Sequence, residues 1–367
     1  MDSAFLSPDD ERWSAWVDAN VCDIYHRPEY ARASASHEDG TPAAFFAEDK
    51  YGALLIPLLI REIPGCDSVD VASPYGYPAP TWTARDPAAH FQAFLRALSE
   101  RGVVSAFLRL HPLLPALDPL HLRSDAQAGF GEIVTHGPTV WSDRTGDNNT
   151  IGEGTRSDHR SDIRRLIRIG YTVEIHSANN SDAMNAFRSV YHVTMKRVGA
   201  SSFYDFSDAY FNAWQGPLSS FCDIVLVRGP EGDVAAAGLF TRHHRWMQFH
   251  LSGTASAHRK YAPTKLMLHR VRSDVWTRQH RSEDRGTRPW TDSPRVLHLG
   301  GGLEAEEDSL FHFKAGFSQQ RAVFKTCRLV CDPATYADLT LERVDLPPDA
   351  DPSREGVSSG FFPAYRK

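Results

Sequence analysis

At 367 residues the chain is long for one domain and sufficient for two, and its 41% hydrophobic, 23% charged and 11% aromatic composition excludes a disordered or fibrous protein. A net charge of −6 leaves no global nucleic-acid footprint, so any contact with RNA must come from local basic patches. The five cysteines (Cys22, Cys66, Cys222, Cys327 and Cys331) match neither a disulfide framework nor a zinc spacing. Residues 1–20 contain no apolar leader core, and the longest apolar run, residues 53–60 interrupted by Pro57, is too short to span a bilayer. A cytoplasmic monomer without membrane insertion or a metal is the expectation.

In chain order, the spacing predicts short helices over 11–19 and 27–33, then apolar strands over 43–47 and 53–63 joined by the turn at Lys50-Tyr51-Gly52. Residues 87–100 form a helix with Pro87 at its start and Phe91, Phe94, Leu95 and Leu98 on one face. Strands follow at 103–110 and 131–141. The polar segment 142–155 reads as a linker, which sets an N-terminal lobe at 1–150 and a C-terminal lobe at 155–340.

The second lobe opens with a basic helix over 158–169, stopped by Gly170, and a strand over 171–175. A long helix over 181–198 takes Ser181 as its N-cap, and a shorter one over 207–214 takes Ser207. Three strands at 223–228, 234–242 and 246–252 come next, then a helix at 264–277, a strand at 295–299, a helix at 305–314 and a strand at 322–330. Residues 345–367, rich in Pro, Asp and Ser, read as an extended tail. Both lobes mix helices with hairpin-connected strands, which indicates α+β layers rather than a doubly wound parallel sheet.

Five segments of the second lobe carry a family resemblance: Arg164-Arg-Leu-Ile-Arg-Ile-Gly-Tyr171, Ala235-Ala-Ala-Gly-Leu239, Phe249-His-Leu-Ser-Gly-Thr254, Leu297-His-Leu-Gly-Gly-Gly302 and Ser309-Leu-Phe-His-Phe-Lys-Ala-Gly-Phe317. In the first lobe, Tyr25-His-Arg-Pro-Glu-Tyr30, Ser73-Pro-Tyr-Gly-Tyr77 and Arg109-Leu-His-Pro112 add to it. Together, over residues 20–335, they resemble the Fem-like branch of the GNAT superfamily, which includes bacterial peptidyltransferases that use aminoacyl-tRNA. The resemblance implies two GNAT-like lobes, each a mixed, mostly antiparallel sheet flanked by helices, and an acyltransferase activity. The long antiparallel helical arm that peptidoglycan Fem enzymes can carry is not visible in the pattern. Its lack points toward a small-molecule or peptide amine as acceptor.

Acyl transfer to an amine passes through a tetrahedral oxyanion, which a fixed cation stabilises most effectively. The resemblance implies that Lys314 is that cation and that Phe313 packs around it. On the donor side, GNAT enzymes using acyl-CoA cradle pyrophosphate on backbone N–H groups at a Gly-rich helix start. The matching segment, from His258 through Arg259 and Lys260 to Pro263 and Thr264, lacks the glycines, and Pro263 removes one donor. The segment is instead basic, with Arg259, Lys260, Lys265, Arg270, Arg272, Arg278 and Arg281, and Thr254 and Thr264 flank it. With Arg164, Arg165 and Arg168 on the preceding helix, it suits RNA phosphates, so aminoacyl-tRNA is the expected co-substrate and acyl-CoA the alternative. A non-catalytic peptide- or RNA-binding protein is a third reading. Tyr75, Tyr77, Arg109, His111, His250 and His298 stand as acceptor-side candidates, Arg109 suiting a carboxylate or phosphate. Gly356-Val-Ser358-Ser-Gly360 matches a nucleophile elbow only in letters, since no histidine follows it.

Overall fold

The computed structural model describes residues 1–115, 129–145, 154–273, 295–348 and 350–367. Its strands, in chain order, are β1 (Asp2–Leu6), β2 (Thr41–Asp49), β3 (Gly52–Glu62), β4 (Val69–Ala72), β5 (Thr81–Trp82), β6 (Val103–Leu110), β7 (Phe130–Asp143), β8 (Thr172–Ser177), β9 (Cys222–Arg228), β10 (Val234–His243), β11 (Trp246–Thr254), β12 (Val296–Gly300) and β13 (Arg321–Val330). Its helices are α1 (Glu11–Ala19), α2 (Pro28–Ala35), α3 (Ala88–Glu100), α4 (Ser157–Arg168), α5 (Ser181–Val198), α6 (Asp208–Gln215), α7 (Thr264–Arg272), α8 (Ser309–Ala315) and α9 (Pro333–Arg343). The chain divides into two compact units, Met1–His136 with Val323–Lys367, and Gly137–Ala322.

In the first unit the strand order β1-β2-β3-β4-β6-β13 is antiparallel except for the parallel pair β4–β6. The α3 face carrying Phe91, Phe94, Leu95 and Leu98 packs with Phe45, Ile56 and Leu108 of the strands. A second core gathers Trp13 and Val17 of α1 with Leu6, Phe46 and Leu55.

The C-terminal residues depart from the expected extended tail. Val357, Phe362, Ala364 and Tyr365 are buried with Tyr336 and Leu339 of α9. Tyr365 Oη and Arg366 Nε both donate to Asp70, at 3.0 and 2.5 Å. The Pro- and Asp-rich composition hid these aromatic anchors, and their burial ties residues 350–367 to the unit that begins the chain. The first unit thus takes Met1–His136 with Val323–Lys367 and the second Gly137–Ala322, where lobes at 1–150 and 155–340 were expected.

In the second unit the order β7-β12-β11-β10-β9-β8 is again antiparallel except for one parallel pair, β11–β12. That pair is registered from Trp246↔Val296 to Gln248↔His298 only, although β11 continues to Thr254 and β12 to Gly300. The two strands therefore part company beyond Gln248 and His298. Ile163 and Leu166 of α4, Leu266 and Met267 of α7, and Phe311 and Phe317 fill the core beside this parting.

Several boundaries differ from expectation for local reasons. Asn180, not Ser181, caps α5, because its side chain accepts from the Ala183 amide at 3.0 Å. The helix expected over 305–314 begins at Ser309, because Glu304 and Ala305 take left-handed φ values of 51° and 65° that no helix can continue. The expected end of the α7 helix at 274–277 and most of the linker, 146–153, lie outside the described residues.

Candidate functional site

Asp308 accepts from the Phe311 amide at 2.8 Å and starts α8, which runs only seven residues before Gly316. That length sets Phe313 and Lys314 in the last turn, where the helix dipole favours a cation. The Lys314 ammonium turns inward, is buried, and donates to the Gly301 carbonyl at 2.6 Å. Burial lowers its pKa from 10.5 to about 8, with Asp308 acting in the opposite sense, so the side chain is charged at neutral pH.

Gly301 belongs to the glycine run that ends β12. Gly300 takes a φ of +77°, and a Cβ on Gly302 would lie 2.0 Å from the Glu306 carbonyl oxygen and 2.2 Å from Asp308 Oδ1. The run is glycine because the backbone there closes onto the cap of α8, and this closure delivers the Gly301 carbonyl to Lys314. Phe313 is half-buried, its ring 5.7 Å from that of His159 and 5.5 Å from that of Phe317. His159, on α4, is buried and its pKa falls to about 4, through burial first and then Lys265. It is therefore neutral, and its Nε2 accepts from Arg156 at 3.2 Å. Arg156 also donates its amide to the Gly316 carbonyl at 2.8 Å, fastening the start of α4 to the end of α8.

The β10–β11 register shifts between Leu239↔Leu251 and Phe240↔Phe249, which leaves His250 as the extra residue of a bulge. Tyr210 Oη lies 2.6 Å from His250 Nε2, and the Trp214 ring lies 5.3 Å away. His298 is buried, with Nδ1 2.8 Å from Gln248 Oε1, so Nδ1 carries the proton. Each histidine is thus fixed by its own partner.

At the end of β11, the Thr254 and Thr264 hydroxyls meet at 2.9 Å and join that strand to α7. Lys265 Nζ bonds Asp162 at 2.6 Å, joining α7 to α4. Between them, Arg259 and Lys260 stand exposed on the 3-10 turn Ser256–Tyr261. The Lys265 and Leu266 amides at the start of α7 already donate to Ala262 and Pro263 carbonyls, each at 3.0 Å. Arg164 and Arg168 are exposed on α4, Arg165 faces Asp162 at 3.2 Å, and Arg270 is half-buried at the end of α7. Arg278 and Arg281 lie outside the described residues.

The other acceptor-side candidates gather in the first unit. Tyr77 packs among Tyr25, His111 and Phe324, with ring centroids 5.9, 6.0 and 5.5 Å away. The Tyr75 amide donates to Glu38 at 2.7 Å, and its carbonyl accepts from Tyr30 at 2.8 Å. Arg109 donates to the Ser73 carbonyl at 2.5 Å and the Pro74 carbonyl at 3.3 Å, which holds it against the 73–77 loop. The Leu113 amide donates to His111 Nδ1 at 3.1 Å, which leaves Nε2 to donate to the buried Asp23 at 2.9 Å. His26, on the next turn, is driven to a pKa of about 4 by burial and then by His111. Asp23, Phe324 and His159 carried no motif signal, because only the tertiary fold brings them to these places.

Among the described residues, no group of three or more His, Cys, Asp or Glu side chains could hold a metal ion, and no helix is long and apolar enough to cross a membrane. No protein-family model and no curated protein matches the sequence. Solved structures do. The chain is similar to FemX, at 12% identity and a TM-score of 0.62, over 89% of this chain and 97% of that one. It is also similar to L-PGS from Bacillus licheniformis, at 12% identity and a TM-score of 0.56, over 88% of this chain and 92% of that one. A C-terminal domain named for lysylphosphatidylglycerol synthetase, from Agrobacterium fabrum, matches at 15% identity and a TM-score of 0.55, over 87% and 90% of the two chains. With one parallel strand pair in each mostly antiparallel unit, the chain shares the fold of these structures, as the resemblance to Fem-like proteins leads one to expect.

Proposed function

We propose that the protein is an acyltransferase that moves an aminoacyl group from aminoacyl-tRNA to an amine of a small-molecule or peptide acceptor. The observation that carries this reading is the buried Lys314 cation at the end of β12, beside the point where β11 and β12 part. Strand ends of this kind are where open mixed sheets bind ligands. The acceptor amine attacks the ester carbonyl, and the oxygen becomes an oxyanion that the Lys314 ammonium stabilises. Collapse forms the amide and expels the terminal hydroxyl of the tRNA, which takes up the proton that the amine releases.

Two features favour a tRNA donor over acyl-CoA. The first amides of α7, which a pyrophosphate would need, already donate to Ala262 and Pro263. Arg259 and Lys260 stand exposed on the turn before α7, and Arg164 and Arg168 stand exposed on α4, as phosphate contacts require. The test is incubation of the purified protein with charged tRNA and candidate amines, read as a mass shift on the acceptor. Loss of product on RNase treatment is expected, as is loss of turnover in Lys314→Ala. Product that survives RNase and requires acetyl-CoA would assign the donor to acyl-CoA instead.

A further inference from the structure

The 3-10 turn Ser256–Tyr261 puts two cations, Arg259 and Lys260, at the surface, and its one buried residue is His258. What grips that imidazole comes from two distant stretches. Tyr171, the residue after the glycine that stops α4, places its hydroxyl 2.7 Å from His258 Nδ1. Asp233, in the turn between β9 and β10, places Oδ2 2.6 Å from His258 Nε2. With Asp233 ionised, Nε2 carries the proton and donates to it, and Nδ1 accepts from the Tyr171 hydroxyl. The turn at Gly229 closes tightly on this chain: a Cβ there would lie 2.6 Å from Asp233 Oδ1 and 2.8 Å from His258 Cε1.

Beyond this grip, the two ends of the turn are held from elsewhere: Arg197 donates to the Ser256 hydroxyl at 3.2 Å, and Tyr261 packs on the core with its ring 5.9 Å from that of Tyr171. The His258 amide donates to Ala255 and the Ala262 amide to Arg259, at 3.0 and 3.1 Å, and Ala262 closes the turn with a left-handed φ of 53°. The two cations follow His258 directly, in the middle of the turn between these held ends, and Lys260 Nζ lies 4.9 Å from the Tyr261 ring centroid.

We infer that Tyr171, His258 and Asp233 form a latch that fixes the shape of the basic turn and thereby sets affinity for a polyanionic donor. The inference rests on the tRNA-donor reading and adds positioning residues to it, none of which touches the reacting atoms. Tyr171→Phe removes one hydroxyl from the latch. His258→Ala removes its centre, and Gly229→Ala pushes on it from the opposite side. Each should speed amide hydrogen exchange over residues 256–262 about ten-fold, with exchange elsewhere unchanged. Each should raise KM for charged tRNA about five-fold, the worth of one lost hydrogen bond, and leave kcat within about two-fold. Asp233→Asn, which keeps an acceptor for Nε2–H, should behave almost as the unaltered protein.

Exchange reads the latch with no donor present, and KM reads its consequence for the donor. Unchanged exchange in both Tyr171→Phe and His258→Ala overturns the inference. A loosened turn with unchanged KM overturns the role in donor affinity. An unaltered protein that turns over no charged tRNA refutes the donor reading together with that role, and is recognised before any variant is made.

Discussion

Lys314 joins the proposed chemistry to a stability measurement. Its pKa falls from 10.5 to about 8 because it is buried, so holding it charged in the folded state costs about 3 kcal/mol at pH 7. The sign follows from proton binding. Between pH 8 and 10.5 the unfolded chain binds the Lys314 proton more tightly than the folded one, so the penalty is complete below pH 8 and is relieved as pH rises toward 10.5. Methionine has a similar length and no charge. Lys314→Met removes the penalty and gives up the hydrogen bond to Gly301, worth about 1 kcal/mol. The variant should therefore be about 2 kcal/mol more stable than the parent at pH 7 and about 1 kcal/mol less stable near pH 10.5. Urea unfolding of both proteins at the two pH values measures this, and groups that titrate in both cancel in the difference. Turnover should move the other way, vanishing in Lys314→Met and, in the parent, falling as pH rises through about 8 and the ammonium is lost. A lysine that costs stability and is required for turnover is under functional constraint. A methionine variant less stable than the parent at pH 7, or a difference that does not change with pH, would refute the reasoning.

Other perturbations test the frame around this residue. Asp70 is fully buried and accepts from Arg61 at 2.7 Å as well as from Tyr365 and Arg366. Asp70→Ala should cost about 3–5 kcal/mol in thermal unfolding, and a loss under about 1 kcal/mol would show that the C-terminal residues are not anchored there. Gly302→Ala should cost about 1–3 kcal/mol and lower kcat more than it raises KM, because its Cβ would displace the Asp308 cap that sets Lys314; unchanged kcat would separate the cap from the chemistry. Arg164→Glu and Arg168→Glu should weaken tRNA binding in fluorescence anisotropy and flatten its salt dependence by about one unit of slope each. An unaltered slope would take α4 off the RNA-facing surface.

What could be read from the sequence was what short spacings record. The four apolar positions of α3, the Gly170 stop of α4 and the Ser207 cap of α6 are all local, and the structure has each of them. Strands β1 and β4 and the folded C-terminal residues left little trace, because they are short and take their stability from partners far along the chain, as Tyr365 does from Asp70 across 295 residues. The site divides along the same line. The Phe313-Lys314 pair was visible as a motif, but the inward turn of Lys314 depends on a carbonyl 13 residues earlier. His258 was visible only as one member of a basic loop, since Tyr171 lies 87 residues away and Asp233 lies 25 away. Glycine is an intermediate case. The run at 300–302 signals that backbone comes close to something, and the open question in the sequence is what that something is. Here it is the Asp308 cap of α8, so the same three residues that end a strand also decide where Lys314 can stand. Substitutions in that run should therefore alter turnover even though glycine has no side chain to offer a substrate.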